Sequence, residues 1–249
     1  MTTPRILIVE DDGLIALEIA ERLKHLSYDV IDAVATGEEA INCAEKTHPD
    51  LILMDIRLRG SMDGTEAAQH ITSKEDTPVI YITAYSDNET RANARRTFSY
   101  GYIVKPFTDQ QLLCAIDMAF SNHALHRKLK EHDAKFKALF ENTSDAGFLM
   151  EFSDDKEKCR ITEVNRAACT LLGYTPDELV GKDMAALNDR CCNQEYPEYL
   201  TKLITDGSVR YEMILVGKNG KKPFVEINAH TFPFGDRRMV ISLAREVHS

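Results

Sequence analysis

The chain has 249 residues, 43% of them hydrophobic and 28% charged, a length and balance that fit one large or two ordinary globular domains and exclude a disordered chain. With 30 Lys+Arg against 40 Asp+Glu, the formal net charge is -10, which disfavours a protein that binds nucleic acid by its whole surface. From the N-terminus, short apolar runs read as strands at 5–9, 28–34, 51–54, 78–83 and 101–104, with helical periodicity at 13–25, 37–46, 64–73, 88–97 and 108–120. Five strand–helix units predict a parallel sheet with helices on both faces. The near-continuous apolar strands fit a sheet covered on both sides. Residues 121–141 contain no Gly or Pro, and Leu125, Leu129, His132, Phe136 and Leu139 step by four, three, four and three, the seam of a short coiled coil. Residues 121–140 carry +3 beside residues 1–120 at -9. Beyond it, strands at 146–152 and 160–164, helices at 165–172, 176–180 and 194–205, and strands at 209–217, 222–233 and 237–247 describe an antiparallel α+β domain. Gly217-Lys218-Asn219-Gly220 is a hairpin turn between the first two of those last strands. Phe148, Met150, Met213, Leu215, Ile227, Met239, Ile241 and Leu243 are its expected core or an apolar pocket. The domains are therefore expected at 1–121 and 142–249, with a helical linker at 122–141.

The six cysteines, at 43, 114, 159, 169, 191 and 192, form no C-x-x-C pair. The opening segment lacks the apolar core of a signal peptide, and no apolar run reaches the length of about 20 residues that spans a bilayer. The expectation is a cytoplasmic chain with free thiols and no membrane partner.

In open parallel sheets, ligands collect beyond the carboxyl ends of the strands. Here those ends carry Glu10, Asp11 and Asp12, then Asp55, Thr83 and Lys105. Carboxylates gathered this closely repel one another, and a hard divalent cation relieves them, so Mg²⁺ or Mn²⁺ is the expected cofactor. With a cation present, Asp55 can act as a nucleophile toward a phosphoryl donor, with Thr83 and Lys105 contacting the transferring group. Asp12 and Asp63 read as N-caps of the helices that follow them.

These residues, in the segments ILIVEDD, LILMDIRLRGSMDG, VIYITAY and GYIVKPF, resemble a response-regulator receiver domain over residues 4–121. The resemblance implies a flavodoxin-like α/β sheet in 2-1-3-4-5 order and a histidine kinase as phosphodonor. It implies Asp55 as phosphoacceptor, and a metal held by Asp11, Asp55 and the backbone carbonyl of Arg57, with Glu10 acting through water. It also implies Thr83 and Lys105 on the phosphoryl group, a cis Lys105-Pro106 bond, and Tyr102 as an aromatic switch that turns inward when Thr83 moves toward the phosphate. Two departures stand out: the loop from Asp55 to Gly64 is one residue longer than the commonest pattern, and Arg59 stands where proline is usual. Arg57 and Tyr85 flank the site, where bulk would hinder water and slow loss of the phosphoryl group. The segments FKALFENTSDAGFLME, ITEVNRAACTLLGYTPDELVGKD and RYEMILVGKNGKK resemble a PAS domain, with Asn165 capping a helix. No histidine lies between 133 and 229, and the flavin-photosensor motif is missing, so haem and flavin are not supported. The resulting reading is a non-enzymatic phosphorelay regulator that relays the change through a linker to a PAS module, with a homodimer through both. Two alternatives remain: a transcription regulator that contacts DNA through the basic stretch 126–137 or the PAS surface, and a PAS ligand sensor that gates phosphorylation.

Overall fold

The computed structural model describes residues 3–84, 100–153, 158–189 and 195–247. It divides into two compact units, residues 1–130 and 131–249. Among the described residues, no helix is long and apolar enough to cross a membrane.

The first unit is built from β1 (Arg5–Val9), α1 (Gly13–His25), β2 (Asp29–Val34), α2 (Gly37–Thr47), β3 (Leu51–Asp55), α3 (Gly64–Lys74), β4 (Val79–Ala84) and β5 (Gly101–Lys105). All pairings are parallel and the order is β2-β1-β3-β4-β5, as the resemblance implies. The expected helix at 88–97 lies outside the described residues. Successive strand residues point to opposite faces. Ile6, Ile8, Leu51, Leu53, Ile80 and Ile82 pack with Ile19 and Leu23 of α1 and with Leu112 and Ile116 beyond β5. Leu7, Val9, Ile52, Met54, Val79 and Tyr81 pack with Ala40 and Ala44 of α2 and Ala67 and Ile71 of α3. Both parities of each central strand are buried, which is why those strands read as unbroken apolar runs.

α4 is a single helix, Asp109–Glu141. The helical segment expected at 108–120 and the helical linker expected at 122–141 run together as one helix, with no Gly or Pro anywhere in the span to stop it. Its first third buries Leu112, Ile116 and Ala119. Leu125, Leu129, Phe136 and Leu139 are exposed, and burial returns only at Phe140.

The second unit contains β6 (Ala146–Phe152), β7 (Cys159–Val164), α5 (Arg166–Leu172), α6 (Pro176–Leu179), a 3₁₀ turn (Met184–Leu187), α7 (Tyr196–Asp206), β8 (Ser208–Ile214), β9 (Phe224–Phe234) and β10 (Arg237–Glu246). Its sheet is antiparallel in the order β7-β6-β10-β9-β8, with short helices contributing to one core. Two expectations need correction. The hairpin strands end at Ile214 and restart at Phe224, because Lys218 N–H leaves the ladder to donate to the Leu172 carbonyl at the end of α5. Ile241 and Leu243 are only half-buried and lie outside the main core. Val240 and Ala244 point into that core, so alternation turns Ile241 and Leu243 to the other face of the sheet.

Candidate functional site

Parallel register brings the strand ends of the first unit level with one another. Val9 pairs with Met54, Asp55 with Ile82, Thr83 with Val104 and Ala84 with Lys105. Glu10 follows β1, Asp55 closes β3, Thr83 lies near the end of β4 and Lys105 closes β5. Glu10, Asp55 and Thr83 are all buried.

Lys105 Nζ holds the carboxylates together, donating to Glu10 Oε2 and to Asp55 Oδ2 at 2.5 Å each. Asp55 Oδ1 accepts from the Arg57 backbone N–H at 2.9 Å, which fixes the first turn of the loop beyond β3. The carboxylate oxygens of Glu10, Asp11 and Asp55 lie within 4.8 Å of one another. Asp12 is not in this group: its Oδ1 caps α1 by accepting from Leu14 and Ile15 N–H. Asp63 caps α3 in a reciprocal box with Glu66. The chain passes so closely behind the site that a Cβ on Gly64 would lie 1.9 Å from the Asp55 carbonyl oxygen, so only glycine fits there unless the backbone moves.

The electrostatics of the crevice are unbalanced. Burial pushes the Glu10 carboxyl up to about 7; the Lys105 hydrogen bond opposes that shift and the nearby Asp55 charge adds to it. Burial works against the Lys105 charge, but hydrogen bonds to Asp55 and Glu10 outweigh it and raise its pKa. One ammonium cannot neutralise both of the carboxylates it holds, and oxygen donors at this spacing suit a hard divalent cation.

Thr83 Oγ1 donates to the Ala84 carbonyl at 3.1 Å. Tyr102 is exposed on β5, with buried Ile103 beside it. The Lys105-Pro106 peptide is cis. Tyr85, Cys191 and Cys192 lie outside the described residues. Cys43, Cys114, Cys159 and Cys169 are free thiols. One contact has no sequence signal beyond the unusual residue itself: Arg59 Nε donates to Asp11 Oδ2 at 3.1 Å.

In the second unit the buried polar residue with the most partners is Asn165. Its Oδ1 accepts from Gly147 N–H at 2.8 Å and from Ala168 N–H at 2.9 Å. Its Nδ2 donates toward the Phe140 carbonyl, Thr143 Oγ1 and the Asp145 carbonyl at 3.0, 2.9 and 3.0 Å. The residue therefore does more than cap α5: it ties the last turn of α4 to β6.

A family model for the response regulator receiver domain matches residues 6–117, and one for the PAS domain matches residues 145–248. The chain is a receiver domain followed by a PAS domain. Among its relatives are the transcriptional regulatory protein PdtaR of Mycobacterium tuberculosis, 38% identical over 117 residues, and the transcriptional regulatory protein YdfI of Bacillus subtilis, 31% identical over 126 residues. These alignments cover 47% and 49% of this chain and 57% of each relative. The chain thus spans about half the length of the curated relatives it matches. The signal receiver domain of a modulated diguanylate cyclase from Desulfovibrio desulfuricans is 38% identical, covering 50% of this receiver–PAS chain and 99% of that one, with a TM-score of 0.48. Both relatives are named as transcriptional regulatory proteins, and the receiver model is that of response regulators.

Proposed function

We propose that this receiver–PAS chain is a cytoplasmic, non-enzymatic phosphoacceptor regulator that takes a phosphoryl group from a histidine kinase on Asp55. The observation that carries this reading is the pair of hydrogen bonds from Lys105 to Glu10 and Asp55, which gathers the ends of three strands around one nucleophilic carboxylate. Asp11, Asp55 and the Arg57 carbonyl would hold Mg²⁺ or Mn²⁺, with Glu10 acting through water. When bound, the ion offsets negative charge on the transferring phosphoryl group. An Asp55 carboxylate oxygen bonds to phosphorus as the bond from phosphorus to the donor's imidazole nitrogen breaks. Lys105 Nζ passes from the carboxylate to a phosphoryl oxygen. The Thr83 hydroxyl turns from the Ala84 carbonyl toward another phosphoryl oxygen, and Tyr102 turns inward from its exposed position. The change is a shift between two populated states of the same surface.

The output is a change in association. The exposed residues Leu125, Leu129, Phe136 and Leu139 continue the seam along α4, and the occupant of that seam is a second copy of this chain. The linker and PAS domain form the dimer. One cation of the basic stretch, Lys130, is engaged with Asp76, which favours this reading over DNA contact through the linker.

The test is incubation of wild type and Asp55→Asn with a small acyl-phosphate donor and Mg²⁺, followed by intact mass and light scattering on the same samples. We expect an adduct on wild type only, lost when the cation is chelated, and a change in assembly that accompanies it. An adduct on both proteins would remove Asp55 as the acceptor, and a monomer in both states would remove the seam.

A further inference from the structure

The loop that leaves the acceptor strand is fastened at a distance from the crevice. Arg59 makes an isolated parallel bridge with Thr36, just before α2. Ser61 Oγ donates to Glu38 Oε1 at 2.7 Å, in the first turn of the same helix. Between them Gly60 adopts a φ of +115°, a backbone conformation that glycine reaches without strain. At its near end the loop is held by the Arg57 N–H bond to Asp55. With both ends fixed, Arg59 reaches back across the crevice, and its guanidinium meets Asp11 at 3.1 Å. The three carboxylates of the cluster are thus divided between two internal cations: Glu10 and Asp55 share Lys105, and Asp11 pairs with Arg59.

We propose that Arg59 is a resident counter-ion that competes with the divalent cation for Asp11 and lowers the metal affinity of this receiver below what its carboxylates alone would give. The proposal rests on the reading of the acidic cluster as the Mg²⁺ site. Whatever the pair contributes to the metal-free state must be given up when a cation takes the Asp11 carboxylate, so it is subtracted from the binding free energy. The Arg59 side chain is 75% exposed, so the pair is a screened surface pair, and its removal shifts affinity a few-fold rather than by orders of magnitude. Asp11 accepts from a side chain that can swing into water while the loop stays anchored at Ser61.

The experiment titrates the full chain with Mn²⁺, reading free Mn²⁺ by electron paramagnetic resonance, and then displaces it with Mg²⁺. Arg59→Gln should bind about two- to fivefold tighter than wild type. Arg59→Lys, which keeps the charge, should stay closer to wild type. Lys46→Gln, which removes an exposed charge elsewhere on the unit, should leave affinity unchanged, and added salt should narrow the gap between Arg59→Gln and wild type. Equal or weaker binding by Arg59→Gln overturns the proposal, as does an equal gain from Lys46→Gln. If Asp11→Asn loses binding while Arg59→Gln matches wild type, the role of Arg59 fails and the metal site stands. If neither wild type nor Arg59→Gln binds the ion, both fail.

Discussion

The receiver unit buries Glu10, Asp55 and Thr83 at the ends of parallel strands, while the PAS unit buries Asn165 between the end of α4 and the start of β6. The receiver cluster has more negative charge than its internal cations can balance, and burial raises the Glu10 carboxyl accordingly. Asn165 is neutral and has partners at both amide atoms. A buried polar group with every partner in place fixes a structure. One whose charge is left in excess is poised to exchange that charge with a ligand. The same degree of burial therefore marks a chemical site in one unit and a structural joint in the other.

The largest effect should come from breaking the joint. Asn165→Ala leaves the Gly147 and Ala168 N–H groups and the Phe140 and Asp145 carbonyls without this partner. The expected cost is about 3 kcal/mol, the range for a broken buried network. Hydrogen exchange read by mass spectrometry on peptides from 146–164 should accelerate about 100-fold, while peptides from β1 and β3 keep their protection. Unchanged exchange in 146–164 would mean that Asn165 is not the joint, and the contrast between the units would lose one side.

A middle-sized effect should separate the receiver cluster by pH. The folded pKa of Glu10, about 7, lies above its ordinary value of 4.5, so the folded protein holds a proton that the unfolded chain releases. The stability this group contributes is fully present below about pH 4.5 and is lost as pH rises through about 7. In chelator, the melting temperature of wild type should therefore fall relative to Glu10→Gln between pH 5 and 8, and Mg²⁺ should reduce the fall. A difference between the two proteins that stays constant with pH would show that Glu10 does not titrate in this range.

How much of this was legible in the sequence follows from where each residue sits. Glu10, Asp55, Thr83 and Lys105 each sit at or just past the end of an apolar run, and parallel topology brings such ends together without detailed knowledge of the packing. Arg59 could be seen as a departure, but its contact with Asp11 depends on a loop path set by Ser61 and Glu38, which no local pattern records. That the two helical segments at 108–120 and 122–141 join into α4 has no positive signal, because continuing a helix needs only the absence of a stop. The facing of β10 is hidden for a different reason. Ile241 and Leu243 are larger than Val240 and Ala244, yet the main core takes Val240 and Ala244, and buried Ser242 on their side of the strand masks the alternation, while Met239 on the other side is itself buried. The register with β6 and β9 decides the face, and that register is a tertiary fact.

The smallest effect sharpens the comparison most directly, because two caps make the same bond. Asp63 Oδ1 accepts from the N–H of Glu66 at 2.9 Å, and Asn165 Oδ1 accepts from the N–H of Ala168 at 2.9 Å. Each side chain lies three residues before its donor, yet Asp63 is exposed and Asn165 fully buried. When Asp63→Ala removes its cap, water reaches the freed N–H groups of α3, so the loss should be about 1 kcal/mol, the ordinary value of an N-cap. Urea unfolding followed by exchange in the receiver peptides measures it. A cost for Asp63→Ala well below that for Asn165→Ala assigns the difference to desolvation and the extra partners of Asn165, since the capping bond is common to both. Equal costs would place the whole effect in the cap and leave burial with no part in distinguishing the two units.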